Sequence, residues 1–241
     1  MTIEIAAPKE ALNEKMRVAA RAIFDVLAQR SKSEPLVIGL CGGRSVVGLL
    51  GALLTESREQ PHDILERIHF FMVDERIVPL TDAHSNFGGL KELFFDRLVQ
   101  DGLIRPEQLH PFVGTIARSQ EACRSYASEL ERFGGRFDVV VLGMGEDGHV
   151  AGLFPHHPLL QERNRGFLAF TDSPKPPPER MTASVPLLCA STLSILLALG
   201  EAKRAAWDSF KSSAGGVAEC PAKMVLDTAR CLVVTDLADE S

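Results

Sequence analysis

Short apolar runs and amphipathic stretches alternate along this chain of 241 residues. Six runs are rich in aliphatic and β-branched residues: 36–41 (LVIGLC), 67–73 (RIHFFMV), 137–142 (FDVVVL), 166–171 (GFLAFT), 192–199 (TLSILLAL) and 231–235 (CLVVT). Their near-continuous apolarity, in place of strict alternation, predicts strands covered on both faces. Helical spacing fills the intervals at 8–31, with Pro8 near the start, and at 45–57, about 84–100, 118–133 and 201–211. Such alternation predicts an α/β fold, a single-domain open sheet, mainly parallel, with helices on both faces and Rossmann-like in outline. No internal repeat or low-complexity linker divides residues 1–241, so one domain is expected. The one proline-dense segment, SPKPPPER at 173–180, is too short to separate domains and reads as a stiff loop.

Composition narrows the partners. The chain is 45% hydrophobic and 24% charged, with a formal net charge of −6. That charge disfavours nonspecific binding to nucleic acid or an anionic membrane, and neither is expected as a partner. An anionic ligand would need a local cluster of cations. Cys41, Cys123, Cys189, Cys220 and Cys231 are odd in number and form no C-x-x-C pair. Neither a disulfide framework nor a zinc site is suggested, and reduced thiols in the cytoplasm are expected. The N-terminal MTIEIAAPKEALNEK lacks an apolar signal core, and the longest apolar run, LSILLALG, is too short to span a bilayer. A soluble cytoplasmic protein, monomeric or a weak homo-oligomer, is the expectation.

Gly143, Gly145 and Gly148 spell G-x-G-x-x-G directly after an apolar run, and Asp172 follows about 20 residues later. A dinucleotide site needs a long helix to begin at the third glycine, because the helix N-terminus holds the pyrophosphate. Here HVAGLFPHHP follows, and Gly152, Pro155 and Pro158 interrupt any helix. Asp147 and His149 also flank the last glycine, where a pyrophosphate loop keeps charge and bulk away. The nucleotide reading is rejected. What remains is a tight turn presenting an acid and an imidazole, which turn chemistry alone would also explain.

The other strand ends change the balance, because ligands of open α/β sheets bind beyond the carboxyl ends of the strands. After the first strand come Gly42, Gly43, Arg44 and Ser45, a phosphate cradle at a helix start. The second runs into Asp74, Glu75 and Arg76, a triplet that is usually a solvated turn. The fourth runs into Lys175 and Arg180, and the fifth into Lys203 in a first helical turn, where the macrodipole disfavours a cation unless an anion binds. One edge then carries a phosphate cradle, several cations and one imidazole. That set suits acid–base chemistry on a phosphorylated small molecule. His149, His156 and His157 do not make a metal set, since no nearby Cys, Asp or Glu completes it, and no metal is expected.

The segments LCGGRSVVGLL, FFMVDERIVPLTDAHSNFG, VVVLGMGEDGHVAGLFP, SPKPPPERMT and LALGEAK resemble, in order and spacing, those of the 6-phosphogluconolactonases. That group is related to glucosamine-6-phosphate deaminase, and the resemblance covers residues from about 20 to 236. It implies hydrolysis of 6-phosphoglucono-δ-lactone to 6-phosphogluconate in the pentose phosphate pathway, without cofactor or metal. By motif position it implies His149 as the base, with Asp74, Arg76 and Asp147 around the reacting end. Gly42, Gly43, Arg44, Ser45, Arg180 and Lys203 would hold the phosphate.

Two departures stand out. Relatives commonly show G-G-S-T-P where this chain has Gly43-Arg44-Ser45-Val46, so the helix start loses a proline and Arg44 either adds a phosphate contact or points away. The deaminase branch carries a glutamate after the D-G-H segment, and LFPHHP here supplies no carboxylate. That favours the lactonase over an amino-sugar phosphate deaminase/isomerase or a non-catalytic sugar-phosphate sensor. A δ-lactone is already an activated ester, so water deprotonated by His149 suffices as nucleophile. The oxyanion donors are either N–H groups of the 143–149 loop or Arg76.

Overall fold

The computed structural model describes residues 11–237. The helix start expected at Pro8 lies outside the described residues. The six strands of the main sheet are β1 (Leu36–Leu40), β2 (Ile68–Met72), β4 (Leu109–His110), β5 (Val139–Gly143), β8 (Leu193–Ala198) and β9 (Cys231–Thr235). They lie in the order β4-β2-β1-β5-β8-β9, with every neighbouring pair parallel. Every residue of β1, β8 and β9 is buried. Both faces are therefore covered, which is the physical reason for their unbroken apolar runs.

The helices are α1 (Leu12–Ala28), α2 (Val47–Ser57), α3 (His62–Leu65), α4 (Asn86–Leu90), α5 (Asp96–Gln100), α6 (Ser119–Glu131), α7 (Val185–Cys189) and α8 (Arg204–Lys211). A π turn over Lys91–Phe95 joins α4 to α5, giving the continuous helix expected near 84–100. In α1 the buried side chains Met16, Ala19, Ala20, Ile23, Phe24 and Leu27 recur at helical spacing, and α1 packs on α2 and against β8 and β9. On α6, Tyr126 is the tie to the sheet. Its hydroxyl donates to the His110 carbonyl at 2.7 Å and accepts from the Met72 N–H at 2.7 Å. Among the described residues, no helix is long and apolar enough to cross a membrane.

One expectation needs correction. The run at 166–171 does form a strand, β6 (Phe167–Phe170), but not in the main sheet. It belongs to a three-stranded antiparallel sheet, in the order β3-β7-β6, with β3 (Asp74–Arg76) and β7 (Arg180–Ala183). The chain changes sheets at Val73, the single residue between β2 and β3. Its N–H donates to the Leu40 carbonyl of β1 at 3.0 Å, and its carbonyl accepts from the Ala183 N–H of β7 at 2.7 Å. The small sheet is thereby attached to the carboxyl edge of the large one.

Near the opposite end of β2 lies an imidazole pair, His110 buried and His69 half-buried. His69 Nδ1 and His110 Nε2 are 2.9 Å apart, His110 is stacked on Phe71, and His69 lies against Phe133. A hydrogen bond between two rings needs a lone pair on one of them, so this contact requires at least one neutral imidazole. Burial, then the neighbouring His110, depress the His69 pKa to about 4, and burial lowers that of His110. In the unfolded chain both titrate near about 6.5, so the native state binds fewer protons below that pH. Denaturant unfolding should therefore show stability falling as pH drops from about 6.5 toward about 4. His69→Gln should flatten this decline; a decline of unchanged steepness in the variant would remove the pair as its cause.

Candidate active site

The order of the main sheet reverses around β1: β2 and β4 lie to one side, and β5, β8 and β9 to the other. Loops leaving β1 and β5 diverge at this point and open a crevice. A cleft of about 560 Å³ occupies it, lined by Gly42, Gly43, Arg44 and Ser45 after β1, Asp74 and Arg76 on β3, His149 after β5, Arg180 on β7 and Lys203 after β8. Of the residues expected from sequence only Asp147 lies off the wall, and it is bonded to His149.

After β1 the chain enters a short 3₁₀ turn, Arg44–Val46, which leads directly into α2. The first N–H groups of such a helical run have no internal partner, so this turn offers donors to an anion. Arg44 is exposed and lines the cleft. Gly42 is needed for packing: a Cβ there would come within 2.0 Å of the Asn86 side-chain oxygen. Cys41 is buried at the base of the cleft and its sulfur accepts from the Gly143 N–H. Burial, then the charge of Asp74, push its thiol up to about 12, so it is neither a nucleophile nor a thiolate ligand at neutral pH.

No helix begins at Gly148, so the G-x-G-x-x-G lacks the element a pyrophosphate would need. Instead the loop closes on itself. The Gly145 N–H donates to the His149 carbonyl at 2.8 Å, and the Gly148 N–H to the Gly145 carbonyl at 3.1 Å. The imidazole folds back over the turn, where a Cβ on Gly145 would collide with His149 Nδ1 at 2.0 Å. This brings Nδ1 into a hydrogen bond with Asp147 Oδ1, a contact that the spacing of two residues did not guarantee. Lys175 Nζ lies 3.8 Å from the same oxygen. Burial alone would raise the Asp147 pKa, but the bond to His149, the His149 charge and backbone N–H, and Lys175 together hold it well below the usual carboxylate range. Asp147 is thus an ionised acceptor, which puts the Nδ1 proton on His149 and leaves the Nε2 lone pair free.

Across the cleft, Asp74 and Glu75 are not a solvated turn. They are 5% and 1% exposed. Asp74 Oδ2 and the Asp74 carbonyl both accept from Asn86 Nδ2 at 3.0 Å. Burial raises the Asp74 pKa, opposed by Arg76, Arg180, Asn86 and His149. Arg76 Nη1 donates to the His84 carbonyl at 2.8 Å. Arg180 commits Nε to the Pro177 carbonyl and Nη2 to those of Lys175 and Pro176, so the proline loop is wrapped around its guanidinium. Nη1 carries no hydrogen bond to the described residues.

Lys203 precedes α8 in a 3₁₀ turn, and its ammonium reaches back to the Met144 carbonyl. Burial, with nearby Lys175 and Arg44, lowers its pKa against the pull of Glu146 and Asp147. Asp236 fixes this turn by accepting from the Gly200 N–H at 2.7 Å. Among the described residues, no group of three or more His, Cys, Asp and Glu is placed to hold a metal ion. Sequence reading missed Asn86 and Asp236 as cleft residues. The S-N-F-G segment flagged the first without giving it a role, and nothing local distinguishes Asp236 from a terminal surface acid.

Comparison with known proteins places the chain in a family. A family model for glucosamine-6-phosphate isomerases/6-phosphogluconolactonase matches residues 9–234. A 6-phosphogluconolactonase of Borreliella burgdorferi is 36% identical over 205 residues, covering 85% of this chain and 85% of that protein. Its counterpart from Homo sapiens is 36% identical over 200 residues, covering 78% of this chain and 72% of that one. The crystal structure of 6-phosphogluconolactonase from Thermotoga maritima matches with a TM-score of 0.80 at 25% identity, over 97% of this chain and 99% of that one. The chain belongs to the glucosamine-6-phosphate isomerase/6-phosphogluconolactonase family.

Proposed function

We propose that this chain hydrolyses 6-phosphoglucono-δ-lactone to 6-phosphogluconate in the oxidative pentose phosphate pathway, acting as one domain in the cytoplasm. The observation that carries the chemistry is the His149–Asp147 pair on a cleft ringed by Arg44, Arg76, Lys175, Arg180 and Lys203. With Nδ1–H held by an ionised carboxylate, Nε2 is the basic nitrogen available to a water molecule. Relatives at 36% identity are 6-phosphogluconolactonases, and no carboxylate lies between Leu153 and Pro158, where the deaminase branch has its glutamate.

In the proposed reaction the phosphate is held by the free N–H groups of the Gly42–Ser45 turn, by Lys203 and Arg44, and by the uncommitted Nη1 of Arg180. His149 Nε2 removes a proton from water as it adds to the lactone carbonyl. The N–H groups of Gly143, Met144, Gly145, Gly148 and His149 are already bonded within the chain. The oxyanion donors are therefore Arg76 or the remaining loop N–H groups, those of Glu146 and Asp147. The imidazolium, stabilised by Asp147, then returns its proton to the departing ring oxygen, and the lactone C–O bond opens to acid and alcohol.

Acid release from freshly made 6-phosphoglucono-δ-lactone, followed by pH-stat with chelator present, should exceed the spontaneous rate. His149→Ala should lower kcat by about 10²–10⁴-fold; an unchanged rate would remove His149 as the base, and ammonia from glucosamine-6-phosphate would point to the deaminase branch. Lys203→Met deletes a charged hydrogen bond and should raise KM by about 10–100-fold. Glucono-δ-lactone, which lacks the phosphate, should be a poor substrate for wild type and be indifferent to this change. Equal damage to both substrates would take Lys203 out of the phosphate site.

A further inference from the structure

We propose that Asn86 is a positioning residue for Asp74, held in place by the buried carboxylate of Glu75, so that β3 and the start of α4 act as one unit at the reacting end of the cleft. The inference rests on the lactonase reading above and adds two residues to it.

Asn86 uses both hydrogens of its amide on a single neighbour. Nδ2 donates to the backbone carbonyl of Asp74 and to Oδ2 of the same residue, each at 3.0 Å. Two bonds from one nitrogen to one residue fix the Asp74 side-chain torsion. They leave Asp74 Oδ1 as the carboxylate oxygen without a hydrogen bond to the described residues, on a side chain that lines the cleft. A group that must meet a substrate hydroxyl or ring oxygen in one orientation needs that restraint.

Asn86 is in turn placed by Glu75. Glu75 Oε1 accepts from the N–H groups of Arg76 and Asn86, both at 2.7 Å; Oε2 accepts from the Phe87 N–H at 2.8 Å and the Ser85 hydroxyl at 3.1 Å. Ser85 also caps α4 by accepting from the Gly88 N–H. The Glu75 side chain does not line the cleft, so it acts on the reaction through the residues it holds, Asn86 and Arg76. On its other side the Asn86 oxygen lies so close to Gly42 that no side chain fits there. Asn86 therefore sits between the carboxylate and the phosphate turn.

The charged and titratable groups around Asp74 come from every neighbouring element. Arg76 and Glu75 lie on its own strand, Arg180 on β7, His149 in the loop after β5, and the Cys41 thiol at the end of β1. The Asn86 amide is the neutral donor in this set, and it favours the ionised carboxylate. Its removal should shift the Asp74 titration to higher pH.

The test compares wild type, Asn86→Ala, Glu75→Gln and the double variant by pH-stat, with thermal midpoints measured to confirm that each is folded at the assay temperature. Asn86→Ala should lower kcat by about 100-fold, move the acid limb of the kcat profile to higher pH, and leave inhibition by inorganic phosphate nearly unchanged. Glu75→Gln should also lower kcat, and the double variant should be less impaired than the product of the two single effects, because part of the Glu75 effect passes through Asn86. Multiplying effects in the double variant, an unmoved acid limb, or a parallel loss of phosphate inhibition and kcat would overturn the positioning role. If either variant is unfolded, Asn86→Ser, which keeps a shorter polar side chain, supplies the acid limb on which the same decision rests. A wild type without lactonase activity would overturn the functional reading, and this inference with it; an active wild type matched by its variants would overturn the inference alone.

Discussion

The carboxylate of Glu75 is the constraint on which the site depends. It is 1% exposed and accepts four hydrogen bonds, three from the segment that opens α4 (the Ser85 hydroxyl and the Asn86 and Phe87 N–H groups) and one from the Arg76 N–H of β3. Burial raises the Glu75 pKa, and the N–H groups of Phe87, Asn86 and Arg76 oppose that rise by favouring the ionised form. Removing any of these donors would leave a buried carboxylate oxygen short of partners. The consequence is geometric. The loop from His84 to Phe87 is drawn onto β3, which brings Asn86 to Asp74 and the His84 carbonyl to Arg76.

A net charge of −6 gives no hint that five cationic side chains meet on one cleft wall. The fold brings them there from four separate segments, and holds several of them by neutral oxygens instead of carboxylates. Arg180 donates to three backbone carbonyls, Arg76 to one, and Lys203 to Met144. A cation bound to a carbonyl keeps its full charge, while one paired with a carboxylate is largely neutralised. These cations thus stay available in a cleft that is also lined by Asp74, Glu146, Glu201 and Asp236.

The main sheet was legible in the sequence because burial on both faces leaves an unbroken apolar run, and five of the six runs took their expected places. The second sheet was not, for reasons specific to its strands. β3 is Asp74, Glu75 and Arg76, three polar residues buried by hydrogen bonding instead of by apolarity. β7 was read as the end of a proline loop, and β6 as a main-sheet strand because an apolar run does not reveal which sheet it joins. The site itself was more legible than the scaffold that holds it. Cations and an imidazole at strand ends are visible one strand at a time, whereas Asn86 acquires its partners only through a contact 12 residues away in sequence. Asp236 is further still, 36 residues from Gly200.

Two carboxylates that feel the His149 charge are driven in opposite directions by their surroundings. Asp147 is half-exposed, bonded to the ring nitrogen and close to Lys175, and its pKa is lowered. Asp74 is buried against the small sheet, and its pKa is raised in spite of two arginines nearby. Identical side chains are thereby given different capacities: Asp147 is held as a fixed negative charge beside the imidazole, while Asp74 takes up a proton more readily. A single acid could not do both, because the burial that raises one pKa would remove the constant charge His149 needs. The separation arises from the two sheets. The exposed loop of the parallel sheet carries Asp147, and the buried strand of the antiparallel one carries Asp74, so the crevice between the sheets holds two carboxylates in opposite electrostatic surroundings.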